Sequence, residues 1–215
     1  MSKQVLGEFR GKIGDVVGKV RNGKHYISSA PGKYNISKKP HEVDKRNRFR
    51  VNGLFAKTIR HNELLFMVWN DANIPANNAF NKICKVNFKL CEPDRPSAKN
   101  VITPPGFWLP VTQINSDDEC IEITLNPFEI LPGEDIVTLI MYISFYDPVN
   151  KNKNFFEMCP AMDYEPDDLK FLFRYGFREK QLAQIYNHKT IFLAAVTQSS
   201  NGNVLRWSET VGREL

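Results

Sequence analysis

The chain has 215 residues, 42% of them apolar and 12% aromatic, which is enough to build a hydrophobic core and excludes global disorder. No segment approaches the roughly 18–20 consecutive apolar residues of a membrane-spanning helix, so no span is expected. The net charge of +5 hides an asymmetry: residues 1–60 hold 15 Lys/Arg against 4 Asp/Glu, a charge of +11, and the remainder carries −6. A basic front and an acidic remainder suit either an anionic ligand or a neighbouring copy of the same chain.

The first residues, MSKQVLGEFRGK, are charged and lack an apolar h-region, so cytoplasmic synthesis without a signal peptide is expected. Next, GEFRGKIGDVVGKVRNGKHYI, Gly7 to Ile27, packs five glycines and five basic residues into 21 positions. Alternation on either side of Asn22-Gly23 predicts a hairpin with strands at 16–21 and 24–29, because Asn-Gly tolerates the positive φ of a type I′ turn. Ala30-Pro31-Gly32 breaks the run.

From Pro40 the period becomes helical. Val43, Asn47, Val51, Leu54, Phe55 and Ile59 recur at three- and four-residue spacing, with Lys45, Arg46, Arg48 and Arg50 forming a basic surface. HNELLFMVWND, residues 61–71, reads as a short buried helix. A third amphipathic stretch follows Pro75, in which Ala79, Phe80, Ile83 and Val86 face inward and Lys82, Lys85 and Lys89 outward.

After Pro93 the pattern turns to β. Candidate strands are 108–114, 120–125, 136–146, 155–161, 169–177, 190–197 and 205–210, separated by turn-rich segments. Alternation through Val204–Thr210 makes the last an integral strand with Trp207 as its anchor. Trp69, Phe80, Trp108 and Trp207 are the expected core anchors. The expected fold is mainly β with an α-helical insert: a basic hairpin arm at 1–35, a helical segment at 36–92, and an antiparallel sandwich of about seven strands at 93–215.

Motifs for chemistry are missing. A phosphate-binding loop needs four residues between its glycines and a hydroxyl after the lysine, but Gly7 and Gly11 have three residues between them and Ile13 follows Lys12. Gly11, Gly14 and Gly18 also miss the dinucleotide spacing. Cys84, Cys91, Cys120 and Cys159 are scattered in apolar surroundings, as free thiols of an intracellular protein would be, and offer no zinc spacing. His25, His41, His61 and His188 lie in no nucleophile motif, and Cys159 before Pro160 reads as a strand residue. The acidic pairs Asp117/Asp118, Glu134/Asp135 and Asp167/Asp168 fall in turns, where carboxylates cap or solvate. No catalytic residue, metal or cofactor is expected. Nucleic acid is a possible partner, because Lys45, Arg46, Arg48, Arg50 and Lys57 follow a basic hairpin bearing Tyr26 and Tyr34.

GKIGDVVG, the Asn-Gly-Lys turn, the tyrosine-bearing strand and the basic helix together resemble an uncharacterised family of Bacteroidota and their relatives, whose members open on a Gly-Lys-Val-Gly-Asn-Val-Val-Gly-like signature. Ser28-Ser29-Ala30-Pro31 stands at that family's RS-x-P segment, Asp44 to Phe49 at its Q-x-x-x-R-x-x-F-like helix, and AFNKICKVN at its Ala-Phe-Asn helix. Asp15 departs from the usual Asn, and the usual Gln is missing from the basic helix. The resemblance covers residues 7–90 and implies organisation and host, with no catalytic residues to transfer.

The glycine-rich opening is therefore expected to be an assembly arm. Gly11, Gly14, Gly18, Asn22, Gly23 and Tyr26 shape it, and Lys12, Lys19, Arg21 and Lys24 charge it. Expected partners are other copies of the chain or other structural proteins, with a virion or phage-like particle as the setting.

Overall fold

The computed structural model describes residues 11–21, 23–30, 32, 36–117, 120–146, 155–158, 162–163, 171–176, 186 and 188–215. Two compact units make up the chain, Met1–Lys39 and Pro40–Leu215. Among the described residues the fold is mostly β, with three helices and antiparallel strand pairing throughout its sheets.

The first unit is a meander of β1 (Gly11–Ile13), β2 (Val16–Arg21) and β3 (Lys24–Ser29). β2 and β3 have the bounds that the Asn-Gly turn implies. The short strand β1 was not anticipated from the sequence.

The second unit opens with α1 (Pro40–His61), where proline takes the first helical turn at no cost in hydrogen bonds. α2 (Glu63–Asp71) and α3 (Ala79–Asn87) follow. Both are capped by asparagine: Asn62 Oδ1 accepts from Leu65 N at 3.0 Å, and Asn78 Oδ1 from Asn81 N at 2.9 Å. Lys85 faces outward as expected and Lys82 is half-buried, and both also bind backbone carbonyls. Lys82 Nζ donates to Asn70 O and Ala72 O, both at 2.7 Å, and neutralises the negative end of α2. Lys85 Nζ donates to Pro75 O at 2.9 Å.

Beyond the helices come β4 (Val111–Ser116), β5 (Cys120–Leu125), β6 (Ile136–Tyr146), β7 (Phe155–Met158), β8 (Met162–Asp163), β9 (Phe171–Gly176), β10 (His188–Gln198), β11 (Val204–Trp207) and β12 (Val211–Glu214). They divide into two sheets, nine strands among the described residues where about seven were expected. One sheet has six strands ordered β11-β10-β6-β7, with β12 also on β10 and β8 also on β6; the other is β4-β5-β9. The expected strand residues 159–161, 169–170 and 177 lie outside or partly outside the described residues.

β6 and β10 pair along their whole length, from Ile136↔Gln198 to Tyr146↔His188. Residues 137–146 are all buried, so both faces of this sheet are covered. Leu139, Met141, Ile143 and Phe145, with Ile191, Leu193 and Ala195, meet Ile114, Ile121, Ile123 and Leu125 of the smaller sheet. Ile140, Tyr142, Phe192, Ala194 and Val196 face the helices and meet Phe55, Ile59, Leu65, Trp69 and Ile83. This second core crosses the expected boundary at residues 92 and 93.

Trp69 is fully buried and donates from Nε1 to Ile102 O at 2.8 Å. Phe80 and Trp207 are half-buried against the helix-side core. Trp108 is not a core anchor: it is 70% exposed. Pro104, Pro105 and Pro110 keep the segment before β4 out of the ladder, since proline lacks the amide a strand needs. Phe107 packs against the sheet-side core in its place.

The C-terminal segment is integral, though not as one strand. β11 and β12 both pair with β10 and are separated at Ser208–Thr210. Ser208 bridges the break, its N donating to Ala195 O and its Oγ accepting from Ala195 N, both at 2.8 Å. Thr210 Oγ1 accepts from Ile102 N and Thr103 N at 2.9 and 3.0 Å. Gly212 leaves no room for a Cβ, which would collide with the Ala98 carbonyl.

Glu134, expected in a solvated turn, is buried. Arg206 holds it in two places, Nε to Oε1 at 2.7 Å and Nη2 to Oε2 at 2.9 Å. Thr197 Oγ1 and Leu131 N complete the set at 3.0 and 2.8 Å. Burial pushes the Glu134 carboxyl upward, but the Arg206, Leu131 and Thr197 hydrogen bonds outweigh it and hold the group below its ordinary value. A depressed folded pKa means that the pair stabilises the fold above the unfolded carboxylate pKa and loses that contribution as pH falls through the folded one. Glu134→Gln leaves Arg206 without its counter-charge and is expected to cost roughly 3 kcal/mol at neutral pH. Urea unfolding as a function of pH checks it: the gap between wild type and variant should be constant near neutrality and close in acid. A gap that does not change with pH would show that the pair contributes nothing.

Candidate assembly surface

The first unit is built by short turns between alternating strands. Ile13 pairs with Val16 across Gly14-Asp15, and Gly14 has φ 56°. Arg21 pairs with Lys24 across residues 22 and 23, and Gly23 has φ 72°. Asn22 and Tyr34 lie outside the described residues. Gly11 also has positive φ, at 112°, where β1 begins. Gly18 is buried and lies opposite Gly11 on one side and Ile27 on the other.

The register sorts this sheet into two unlike faces. Successive strand residues point to opposite sides, and paired residues share a side. One side receives Lys12, Val17, Lys19, Lys24, Tyr26 and Ser28, and Arg21 holds a register position on it. Lys12, Lys19, Lys24 and Tyr26 are exposed there. The other side receives Ile13, Val16, Val20 and Ile27, whose exposures are 63%, 41%, 38% and 45%. Among the described residues β3 pairs only with β2, so its outer backbone edge is open.

The unit thus combines a cationic face carrying a tyrosine, an exposed apolar face and an open edge. A three-stranded sheet this small buries too little apolar surface to stabilise itself well without packing against something.

The basic residues of α1 divide around the helix. At about 100° per residue, Arg46, Arg50 and Lys57 share its outer side, while Arg48 turns toward its buried side and Lys45, exposed, lies between. Lys45 Nζ lies 3.2 Å from Glu42 Oε1. The Lys45 hydrogen bond and charge hold the Glu42 carboxyl below its ordinary value. Arg48 is half-buried and Arg50 exposed.

No group of three or more His, Cys, Asp or Glu side chains able to hold a metal occurs among the described residues. Cys91 is buried and accepts from Asn100 Nδ2 at 3.3 Å. Burial pushes its thiol up to about 11, well away from the thiolate a nucleophile needs. Cys159, Asp118, Asp167 and Asp168 lie outside the described residues. No helix among the described residues is long and apolar enough to cross a membrane.

No known family model matches the chain, and no curated protein shows detectable sequence similarity to it.

Gly23 tests the turn on which this surface depends. Gly23→Val forces a β-branched residue to positive φ at a cost of about 1–2 kcal/mol. Gly32→Ala, at a site with open space and no positive φ, is the control. Amide exchange in residues 16–29 should accelerate in the first variant and stay unchanged in the second. Equal exchange in both would remove the turn as a determinant of the sheet.

Proposed function

We propose that this protein is a non-enzymatic structural subunit that self-assembles, or docks into a larger particle or filament, through its N-terminal sheet. One observation carries the reading: Ile13, Val16, Val20 and Ile27 share an exposed apolar face on a sheet too small to leave it in water without loss. A neighbouring backbone added at β3 would continue the ladder, and a neighbouring apolar surface would cover the exposed face. The excess positive charge of residues 1–60 and the negative charge of the remainder favour head-to-tail contact between copies. The setting we assign to such a subunit is a virion or phage-like particle, in keeping with the front-end resemblance to a Bacteroidota-type family.

A second reading is supported by the opposite face. Lys12, Lys19 and Lys24 around Tyr26 offer cations for phosphates and a ring for stacking, as a nucleic-acid or polyanion-binding module requires.

Light scattering on the purified chain, with and without residues 1–39, separates the two. Assembly through the N-terminal sheet predicts a large species for the full chain and a distinctly smaller, folded one for Pro40–Leu215. Retention of the large species by the shortened chain would contradict it. Polyanion binding predicts a small species that takes up single-stranded DNA at low salt and releases it steeply as salt rises. Assembly predicts that added salt weakens the large species only partly, because the apolar face persists when the charges are screened.

A further inference from the structure

A groove of about 470 Å³ runs along the outer side of α1, lined by Phe49, Arg50, Gly53, Leu54, Lys57 and Arg60, with Phe80 of α3. Its apolar members are conspicuously unburied, Phe49 being 67% and Leu54 43% exposed. From residue 49 to residue 60 it extends roughly 16 Å at the helical rise. Arg50, Lys57 and Arg60 give it a cationic rim.

Gly53 is the residue that makes this groove informative. Glycine is the poorest helix former apart from proline, and Gly53 sits in the interior of a 22-residue helix. Nothing lies within 4 Å of where its Cβ would be, and its φ is not positive. Neither packing nor backbone conformation calls for a glycine there. What its missing side chain provides is an open groove floor.

An occupant must bring a large apolar group with a carboxylate beside it. The chain carries such a pair on its own surface. Trp108 is 70% exposed, and Glu209, also exposed, is held beside its segment by Glu209 N donating to Phe107 O at 2.8 Å. Phe107 N donates in turn to Trp207 O at 3.1 Å, and a Cβ on Gly106 would collide with that same carbonyl. The indole is therefore presented on a segment pinned before any partner arrives, which lowers the ordering cost of binding. Tryptophan is among the residues most often found at the energetic centre of interfaces, and arginine or lysine at its ring adds cation–π attraction.

We infer that Trp108 of one copy seats in the α1 groove of the next, with Glu209 meeting the Arg50, Lys57 and Arg60 rim. This contact rests on the reading of the chain as a self-assembling subunit and adds a second interface to the one at the N-terminal sheet. Anchor and groove are different surfaces, so the contact is heterologous and propagates as a ring or a filament.

The test mixes full-length Lys57→Cys with full-length Glu209→Cys, which leaves Trp108 and the groove floor intact, and adds diamide, which oxidises two thiols to a disulfide and is itself reduced. A crosslinked dimer should form in the mixture and exceed that of either variant alone or of wild type at least tenfold. A second measurement uses charge: Lys57→Glu with Arg60→Glu should weaken self-association at least tenfold, and adding Glu209→Lys should restore it. Wild-type assembly by light scattering without the mixed crosslink, or assembly unchanged in Trp108→Ala and Gly53→Leu, assigns the groove to another occupant and overturns this contact alone. A wild-type chain that stays monomeric at every concentration and gives no crosslink overturns both this contact and the self-assembly reading.

Discussion

The paired strands β6 and β10 are the constraint on which Pro40–Leu215 depends. Eleven residues of each lie in one uninterrupted antiparallel register. A two-residue period then sends alternate side chains to opposite faces, and both sets are apolar. Neither face can be left in water. The helices meet one and β4-β5-β9 the other. At one end of these strands Thr197 bonds to Glu134, and the Glu134–Arg206 pair fastens β11 to the turn before β6. The remaining edge of β10 is closed by β11 and β12 in succession. Around these two strands, packing demands are met by the chain itself.

The N-terminal sheet follows the same alternation with a different result. Its period of two gathers the lysines on one side and Ile13, Val16, Val20 and Ile27, with His25, on the other, but that second side is exposed. The α1 groove repeats the pattern on a helix, where Phe49 and Leu54 lie open between cations. Trp108 repeats it on a loop. These three features ask for surfaces that lie outside one copy, and this is why assembly is the function we propose.

Much of this architecture could be read before the structure. Asn-Gly between alternating residues located β2 and β3, because the turn chemistry is local and only a few residues tolerate positive φ. The apolar run from Ile136 to Tyr146 announced a strand, and the helices could be read from their apolar character and period. Contacts made across sequence were not legible. Lys82 had the spacing of a solvated lysine, yet it also binds carbonyls whose position depends on how α2 ends. Glu134 had the neighbours of a turn residue, and its partner Arg206 lies 72 positions away. The exposure of Trp108 is set by prolines that withhold its segment from the ladder, a signal present in the sequence but outweighed there by the apolar character of the indole. The groove was hidden for a similar reason: Leu54 fits the apolar period of α1, and only the packing of α3 decides which side of the helix is left open.

Hydrogen exchange on the full chain, dilute and concentrated, addresses assembly through the N-terminal sheet most directly. The amides of residues 16–29 should gain protection as concentration rises, with the β3 edge changing most, while the amides of β6 and β10 stay equally protected throughout. Fast exchange across residues 16–29 at every concentration, in a sample that nonetheless assembles, would contradict the account and move the assembly contact elsewhere.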